Sequence, residues 1–486
     1  MVTQNALFTG SYVYRQDHIL GLVEDGLSAE LYRSWGYGLG RMLLSDSLAV
    51  VSSDIRASSL PFKAALIEGL ISSGVRVIDL GVLPMDVAAY ANDTLSASCC
   101  VCVTGDWHSA RWNGLRWHLS ESELSISEQV ERLKEVASGS PVIDLAAVHR
   151  SMPVGRFRKH DITFHWIAWA QDVWHDANQR QIRVLVDTMH GSWSGIAGLA
   201  LRAIFPHVHF ETIRDIQSEG FGGVIPNSRI LDSIVSTCRA VRKCRVDFGV
   251  SLDADAGNFT IIDNEGNPLS VEEMQWLFIR HLLCDALEGE CLLYDAACSE
   301  VVINEAIRLG AKPIVSGMSS DCFISNMRRT NAILGITSEG GLYFRGTGVG
   351  RRIVVFAISW VIDYMLCATF KLSDWRKTLP AFYITPELRV SYGRVDDIVK
   401  HLSNEWMSEP METVDGYNFS GTASRVHIRL IVGYDQVGFR FESRSREGLD
   451  NIIQRSCIAL SSFGEISSNL SDQYKQSSLS YNANFD

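Results

Sequence analysis

Two short stretches carry side chains whose types and spacing could do chemistry. The first is Val103-Thr-Gly-Asp-Trp-His-Ser-Ala-Arg-Trp-Asn-Gly-Leu-Arg116, which holds a carboxylate, Asp106, and a guanidinium, Arg116. It follows an apolar run, Cys99 to Val103, that reads as a buried strand ending in a glycine turn. In an open α/β sheet, ligands bind beyond the carboxyl end of such a strand. The second is Val246-Asp-Phe-Gly-Val-Ser-Leu-Asp-Ala-Asp-Ala-Gly-Asn258, with Asp253 and Asp255 on a tight loop. Magnesium is a hard cation that takes oxygen ligands octahedrally, so carboxylates gathered on one turn suit it. Two carboxylates alone make a weak site, and a solvated Asp-rich turn is the other reading.

The elements that must hold these loops alternate in type. Leu27 to Leu43 reads as an amphipathic helix, and Ala49-Val-Val-Ser-Ser-Asp-Ile-Arg-Ala-Ser-Ser59 as a strand entering a polar turn. A helix and a short strand, Gly74 to Gly81, follow. This strand-helix-strand alternation predicts a parallel sheet with right-handed crossovers. Arg183 to Gly195 reads as strand, turn and helix start, and Glu290 to Ala296 and Lys312 to Val315 as strands around a helix. Ile353 to Phe370 is apolar enough to approach spanning length. Asp363 interrupts it, at a cost of about 2.5–3.5 kcal/mol for insertion, so a long buried helix is expected. The serine- and asparagine-rich tail from Glu465 reads as disordered.

A chain of 486 residues is too long for one core. Its 46% hydrophobic and 21% charged residues are those of an ordinary soluble protein. A net charge of −12, with no basic cluster, argues against a nucleic-acid or membrane partner. Eleven cysteines show neither a paired framework nor zinc spacing, as expected of free thiols in a cytoplasmic protein. Met1 to Gly10 lacks the pattern of a secretory signal.

The 103–116 stretch resembles the active loop of the α-D-phosphohexomutases, of phosphomannomutase/phosphoglucomutase type, which has the form T-G-S-H-x-P followed by N-G-x-K. Thr104, Gly105, Asn113, Gly114 and Leu115 fit it. The phosphate-carrying serine falls on Asp106, the histidine on Trp107 and the lysine on Arg116. Asp54, Arg56, Ser58 and Ser59 resemble the family's G-x-D-x-R-x-S-S, and Phe8 to Arg15 its opening motif with the arginine displaced. Pro84 and the turn Phe221-Gly-Gly-Val-Ile-Pro-Asn227 fit further family turns. The metal loop D-G-D-x-D-R becomes Asp253, Asp255, Gly257 and Asn258. A later histidine falls on Ser320, and the sugar-reading loop on Ile336-Thr-Ser-Glu-Gly-Gly341, with its Glu-Ser pair inverted as Ser338-Glu339. The loop that holds the non-reacting phosphate, R-x-S-G-T-E-P, falls on Arg429-Leu-Ile-Val-Gly-Tyr-Asp-Gln-Val-Gly-Phe-Arg440. It has lost its Ser-Gly-Thr core, and Asp435 would repel a phosphate.

The resemblance implies an α/β, four-domain architecture: three similar α/β/α domains and a smaller C-terminal α+β domain around a central cleft. The expected segments are 1–150, 151–267, 268–372 and 373–464, then the tail 465–486. It implies a protein of sugar-phosphate metabolism with a hexose phosphate as ligand. Its catalytic positions would be Asp106 and Arg116. Metal would fall to Asp253, Asp255 and, as a third oxygen, Asp106, with Mg²⁺ weak or lost. Substrate would fall to Arg56, Ser338, Glu339, Arg429 and Arg440, although Asp54 with Arg56 reads first as ordering its own turn, a slip of one residue would restore Glu339 to the family's register, and ordinary turn glycines are an equal alternative for 336–341. An aspartate cannot hold a phosphate ester but can form an acyl phosphate, and arginine cannot carry the proton a lysine would. Three readings follow: a pseudoenzyme without normal mutase turnover, as homodimer or partner of an active paralogue; an active hexose 1-phosphate/6-phosphate mutase using Asp106, supplying sugar nucleotides for polysaccharide; or a structural or regulatory subunit.

Overall fold

The structure is a computed structural model. It describes residues 13–14, 18–120, 122, 124–139, 143–151, 156–174, 180–284, 289–318, 320–345, 354–368, 370–406, 411–421, 423–431, 436–463 and 465–481. Arg15 and Asp435, singled out above, lie outside them. The chain divides into two compact units, residues 1–270 with 346–375, and residues 271–345 with 376–486.

The first unit holds two sheets. In the larger, the strands run in the order Val13–Tyr14, His18–Leu22, Trp112–Leu119, Cys99–Val103, Leu48–Ser53, Arg76–Val82 and Phe157–Lys159. The last four pair in parallel, as the alternation predicts, through helices such as Ser59–Ser72. Trp112–Leu119 instead pairs antiparallel with Cys99–Val103. A parallel return needs a crossover of a dozen or more residues, and the chain turns back over 104–111. Cys99–Val103 is buried at every position, which explains its unbroken apolar run. The second sheet has the order Phe259–Asp263, Phe248–Leu252, Arg183–Asp187, His209–Ile213. Again a parallel core ends in one antiparallel hairpin, Phe248–Leu252 with Phe259–Asp263.

The second unit repeats the device once. Its four-stranded sheet has the order Lys312–Ser316, Cys291–Asp295, Leu334–Ile336, Leu342–Phe344, and the last pair is antiparallel. In all three sheets the hairpin strand, its partner, the first strand and the second strand stand in the same order. Each hairpin turn carries a loop singled out above: 104–111, 253–258 and 337–341. A fourth, antiparallel sheet is built on Ser424–Ile431 and Gln436–Ser443, with Tyr383–Ile384 and Leu388–Ser391 on one side and Gly416–Ser420 and Met411–Thr413 on the other.

The long apolar segment forms the buried helix Val354–Cys367. It belongs to the first unit, where Phe356 and Trp360 meet Trp174 and Phe356 meets the edge of Trp169. Among the described residues no helix is long and apolar enough to cross a membrane.

The tail is a correction to the expectation of disorder: Ile466–Tyr481 is a helix. Ile466 and Leu470 are buried, and Tyr474 packs beside them on Leu449, Ile453 and Leu460. Gln473 accepts from the Arg389 backbone N–H and donates to its carbonyl. The polar average of the segment hides apolar residues at i, i+4 and i+8, one face of a helix. Replacing Leu470 with alanine should therefore cost about 2–5 kcal/mol, while Asn469→Ala on the exposed face stays within about 0.5 kcal/mol. Urea denaturation of the two variants checks this, and an unchanged midpoint for Leu470→Ala would refute a packed tail.

Candidate functional site

The loop 104–116 is held from below by one buried ion pair. Asp54 and Arg56 form a salt bridge with neither side chain exposed. Asp54 also accepts from Gly105 N (3.1 Å) and from the Ser59 hydroxyl. Arg56 donates to the carbonyls of Asp106, His108 and Ser109 and lies 4.9 Å from the centre of the Phe221 ring. Gly105 is required here: a Cβ would meet Trp112 O at 2.4 Å and the Arg56 guanidinium at 2.7 Å. Asn113 ties the far end, donating to Ser58 Oγ (2.7 Å) and Ser59 Oγ (3.0 Å) and accepting from Gly114 N and the Tyr32 hydroxyl. Arg56 here orders the turn, the role read for it ahead of a substrate contact. It is fully buried, and its donors are spent on the loop backbone.

Asp106 sits at the turn of this loop with φ +55°, a left-handed conformation that Asp tolerates better than most residues. Its N–H donates to Thr104 Oγ1 (2.9 Å). Its carboxylate lies 3.0 Å from Arg116 Nη2, and Arg116 Nη1 lies 3.8 Å from Asp255 Oδ2. Both loops belong to the first unit, so the fold brings together Asp106, Arg116 and Asp255. Asp253 accepts from Ser228 N (2.6 Å) and Asp255 Oδ1 from Gly257 N (3.0 Å). Burial pushes the Asp253 carboxyl up to about 6, opposed by Arg229 and Ser228. Burial, with the Asp106 charge added, also raises Asp255.

Whether the residues present fit Mg²⁺ turns on these contacts. The expected third ligand position is Gly257, which has no side-chain oxygen, and a guanidinium faces the Asp106 and Asp255 carboxylates. Among the described residues no group of three or more His, Cys, Asp or Glu side chains is disposed to hold a metal ion. The set does not fit an all-oxygen magnesium site.

Sequence reasoning missed three residues here. Arg229 donates to Asn258 Oδ1 (2.7 Å) and sets a guanidinium beside the loop at the residue where the resemblance implies an arginine. Asp86, two residues beyond Pro84, is buried, and burial reinforced by the Asp255 charge raises it to about 7. His108 is buried and stacks on Trp107, with ring centroids 3.9 Å apart. Only its proximity to Asp106 in the chain signalled it.

In the second unit, Ser338, Glu339, Arg429 and Arg440 also come together. Ser338 is turned inward, with its N–H (2.6 Å) and hydroxyl (3.0 Å) both donating to Asp295 Oδ2. Arg440 donates to Ser338 O (2.8 Å) and pairs with Glu272 while 9% exposed. Buried partners thus already engage both of these residues. Glu339 is half exposed, 3.6 Å from Arg389 Nη2 and 3.7 Å from Arg429 Nη2. Glu387, unnoticed in the sequence, pairs with both arginines. Arg429 and Arg440 lie on the two strands of one hairpin rather than along a single loop. Ser320 opens the helix Ser320–Thr330.

Family models described as "Phosphoglucomutase/phosphomannomutase, alpha/beta/alpha domain I" and "domain II" match residues 13–137 and 168–266. A phosphomannomutase/phosphoglucomutase of Pseudomonas syringae pv. tomato is 22% identical over 90% of this chain and 93% of its own. A phosphoglucomutase/phosphomannomutase family protein of Burkholderia thailandensis has a similar structure, with TM-score 0.80 and 20% identity over 94% of this chain and 97% of that one. Aspergillus fumigatus N-acetylphosphoglucosamine mutase, solved with GlcNAc-6P and magnesium, superposes with TM-score 0.55 and 11% identity over 95% and 96% of the two chains. At these identities the structural likenesses establish the fold, and it is the expected multi-domain α/β/α architecture. The two matched domain models, the full-length relatives and the shared fold together support the α-D-phosphohexomutase family, of phosphoglucomutase/phosphomannomutase type, as the one this chain resembles.

Proposed function

We propose that this chain is a cytoplasmic phosphohexomutase-family protein of sugar-phosphate metabolism that binds a hexose phosphate without the family's normal mutase turnover. The observation that carries the reading is the 3.0 Å pairing of Asp106 with Arg116. The position that must accept and release phosphate is a carboxylate that cannot form a phosphate ester. An acyl phosphate would need a free carboxylate oxygen as nucleophile, and here a charge-assisted contact competes for it. Arg116 stays protonated up to about pH 12 and cannot shuttle the leaving-group proton. The donors expected for the distant phosphate are compensated, Arg429 by Glu387 and Arg440 by Glu272. Losing one preorganised donor typically costs about 10²–10³ in rate, and several are altered together. The hexose phosphate is inferred from the relatives' names and from GlcNAc-6P bound by the Aspergillus enzyme. Mg²⁺ is weakly held or lost, given the donor set above. The cysteines recorded as free thiols suit a reducing compartment.

A coupled assay with mannose 1-phosphate and glucose 1-phosphate, Mg²⁺ and a trace of the matching hexose 1,6-bisphosphate tests the reading. The expected result is no conversion above background, while hexose phosphate raises the melting temperature. Turnover that disappears in Asp106→Asn would overturn it and make Asp106 the acceptor.

The arginine-carboxylate network has its own pH signature. Burial alone would raise the Glu387 carboxyl, but Arg429 and Arg389 outweigh it and hold it at about 2, against 4.5 ordinarily. A carboxylate with a depressed folded-state pKa stabilises fully above its unfolded value and loses that stabilisation as pH falls through the folded one. Wild type should therefore lose its stability advantage over Glu387→Gln between about pH 5 and about pH 2. The same substitution uncovers Arg389 and Arg429, so inorganic phosphate should raise the melting temperature of the variant more than that of wild type. Parallel melting curves for the two proteins, with equal phosphate shifts, would show that Glu387 does not compensate the arginines.

A further inference from the structure

The misfit between the donor set and magnesium has a specific form. Arg116 reaches both hairpin loops of the first unit, at 3.0 Å from Asp106 Oδ2 and 3.8 Å from Asp255 Oδ2. Asp255 is 2% exposed, and among the described residues its Oδ2 makes no hydrogen bond; the Asp106 and Asp253 carboxylates repel its charge, and the Arg116 guanidinium is the cation that opposes them. A Cβ built on Gly257 would lie 3.5 Å from Arg116 Nη1 and 3.1 Å from Asp255 Oδ1. The space into which a third aspartate would reach is therefore bordered by the guanidinium. Magnesium requires oxygens at about 2.0–2.1 Å in octahedral geometry and gives up its water reluctantly. A fixed guanidinium against the same oxygens opposes a second cation and already supplies the positive charge they need. A guanidinium is permanently charged and weakly hydrated, which suits a buried pairing better than an ammonium does.

We propose that Arg116 is the resident cation of this site: its guanidinium takes the place of the divalent ion, bridging Asp106 and Asp255 and making the site independent of Mg²⁺. The proposal rests on the reading of the site given above and deepens it, since it turns a weakened metal site into a substituted one. Loss of metal and gain of arginine are then one change. Removing the guanidinium should reopen the carboxylates to a dication.

Titration of the full-length protein with MgCl2 by calorimetry, and melting curves in EDTA and in excess Mg²⁺, test this. Wild type should give no saturable heat and the same melting temperature in both buffers. Arg116→Ala should melt several degrees lower in EDTA and recover most of that loss with Mg²⁺, because a ligand that binds only the folded state raises its stability. Arg116→Gln, which removes the charge while keeping bulk and hydrogen-bonding groups, should respond to Mg²⁺ in the same way and serves if the alanine variant does not fold; a folded Arg116→Gln that gains nothing from Mg²⁺ overturns the proposal equally. Saturable Mg²⁺ binding by wild type overturns the proposal, and so does a folded Arg116→Ala that gains nothing from Mg²⁺. The assay of turnover separates the two readings. Conversion in EDTA would sink the absence of turnover and leave Arg116 as the cation, whereas Mg²⁺-dependent conversion by wild type would sink both.

Discussion

Everything in the candidate site depends on the ion pair between Asp54 and Arg56. Both side chains are fully buried, so the pair endures only because hydrogen bonds satisfy its remaining atoms. Asp54 takes Gly105 N and the Ser59 hydroxyl, and Arg56 takes three carbonyls of the loop that follows. The result is a rigid turn with Asp106 at its tip. Removing one partner of such a pair would leave an uncompensated buried charge, typically a loss of about 3–5 kcal/mol. Retention of this pair beside an altered Asp106 separates two kinds of residue, those that build the loop and those that use it.

The altered positions are compensated by charge. Asp106 faces Arg116, Asn258 is met by Arg229, Arg440 by Glu272, and Arg429 by Glu387. Each pairing satisfies a group that would otherwise be buried with an unmet charge or lone pair, a condition that folded proteins avoid at a cost of several kcal/mol. Within each unit, then, these charges are met by neighbours of that same unit. Glu339 keeps more freedom, half exposed at the edge of two arginines.

The three sheets show how little sequence is needed to hold such loops. In each, a parallel core ends in an antiparallel hairpin whose turn is one of the three loops. The strand end fixes where the loop emerges, and the short turn prevents it from wandering. Thr104, Gly105, Asn113 and Gly114 serve the backbone of such a turn, whereas the side chains of Asp106 and Arg116 meet beyond it.

Local patterns were enough to determine the strand-turn-helix order, the buried run Cys99–Val103 and the long buried helix, while the loops were identified through the family resemblance. Those three follow from hydrophobic period, glycine placement or turn chemistry, which act over a few residues. Tertiary structure alone decided which charges meet. Glu272 with Arg440, Glu387 with Arg429, and Arg116 with Asp255 are each separated by dozens of residues or more, and no periodicity relates them. The same limit applies to Arg56: its motif suggested that it orders its own turn, but only the fold shows that it also holds carbonyls of a loop some fifty residues away. It also explains the tail, where a polar average concealed Ile466 and Leu470 until a core existed to receive them. Short-range backbone preferences can be read from neighbours in the chain, but the cost of burying a charge is settled only by what the fold places beside it.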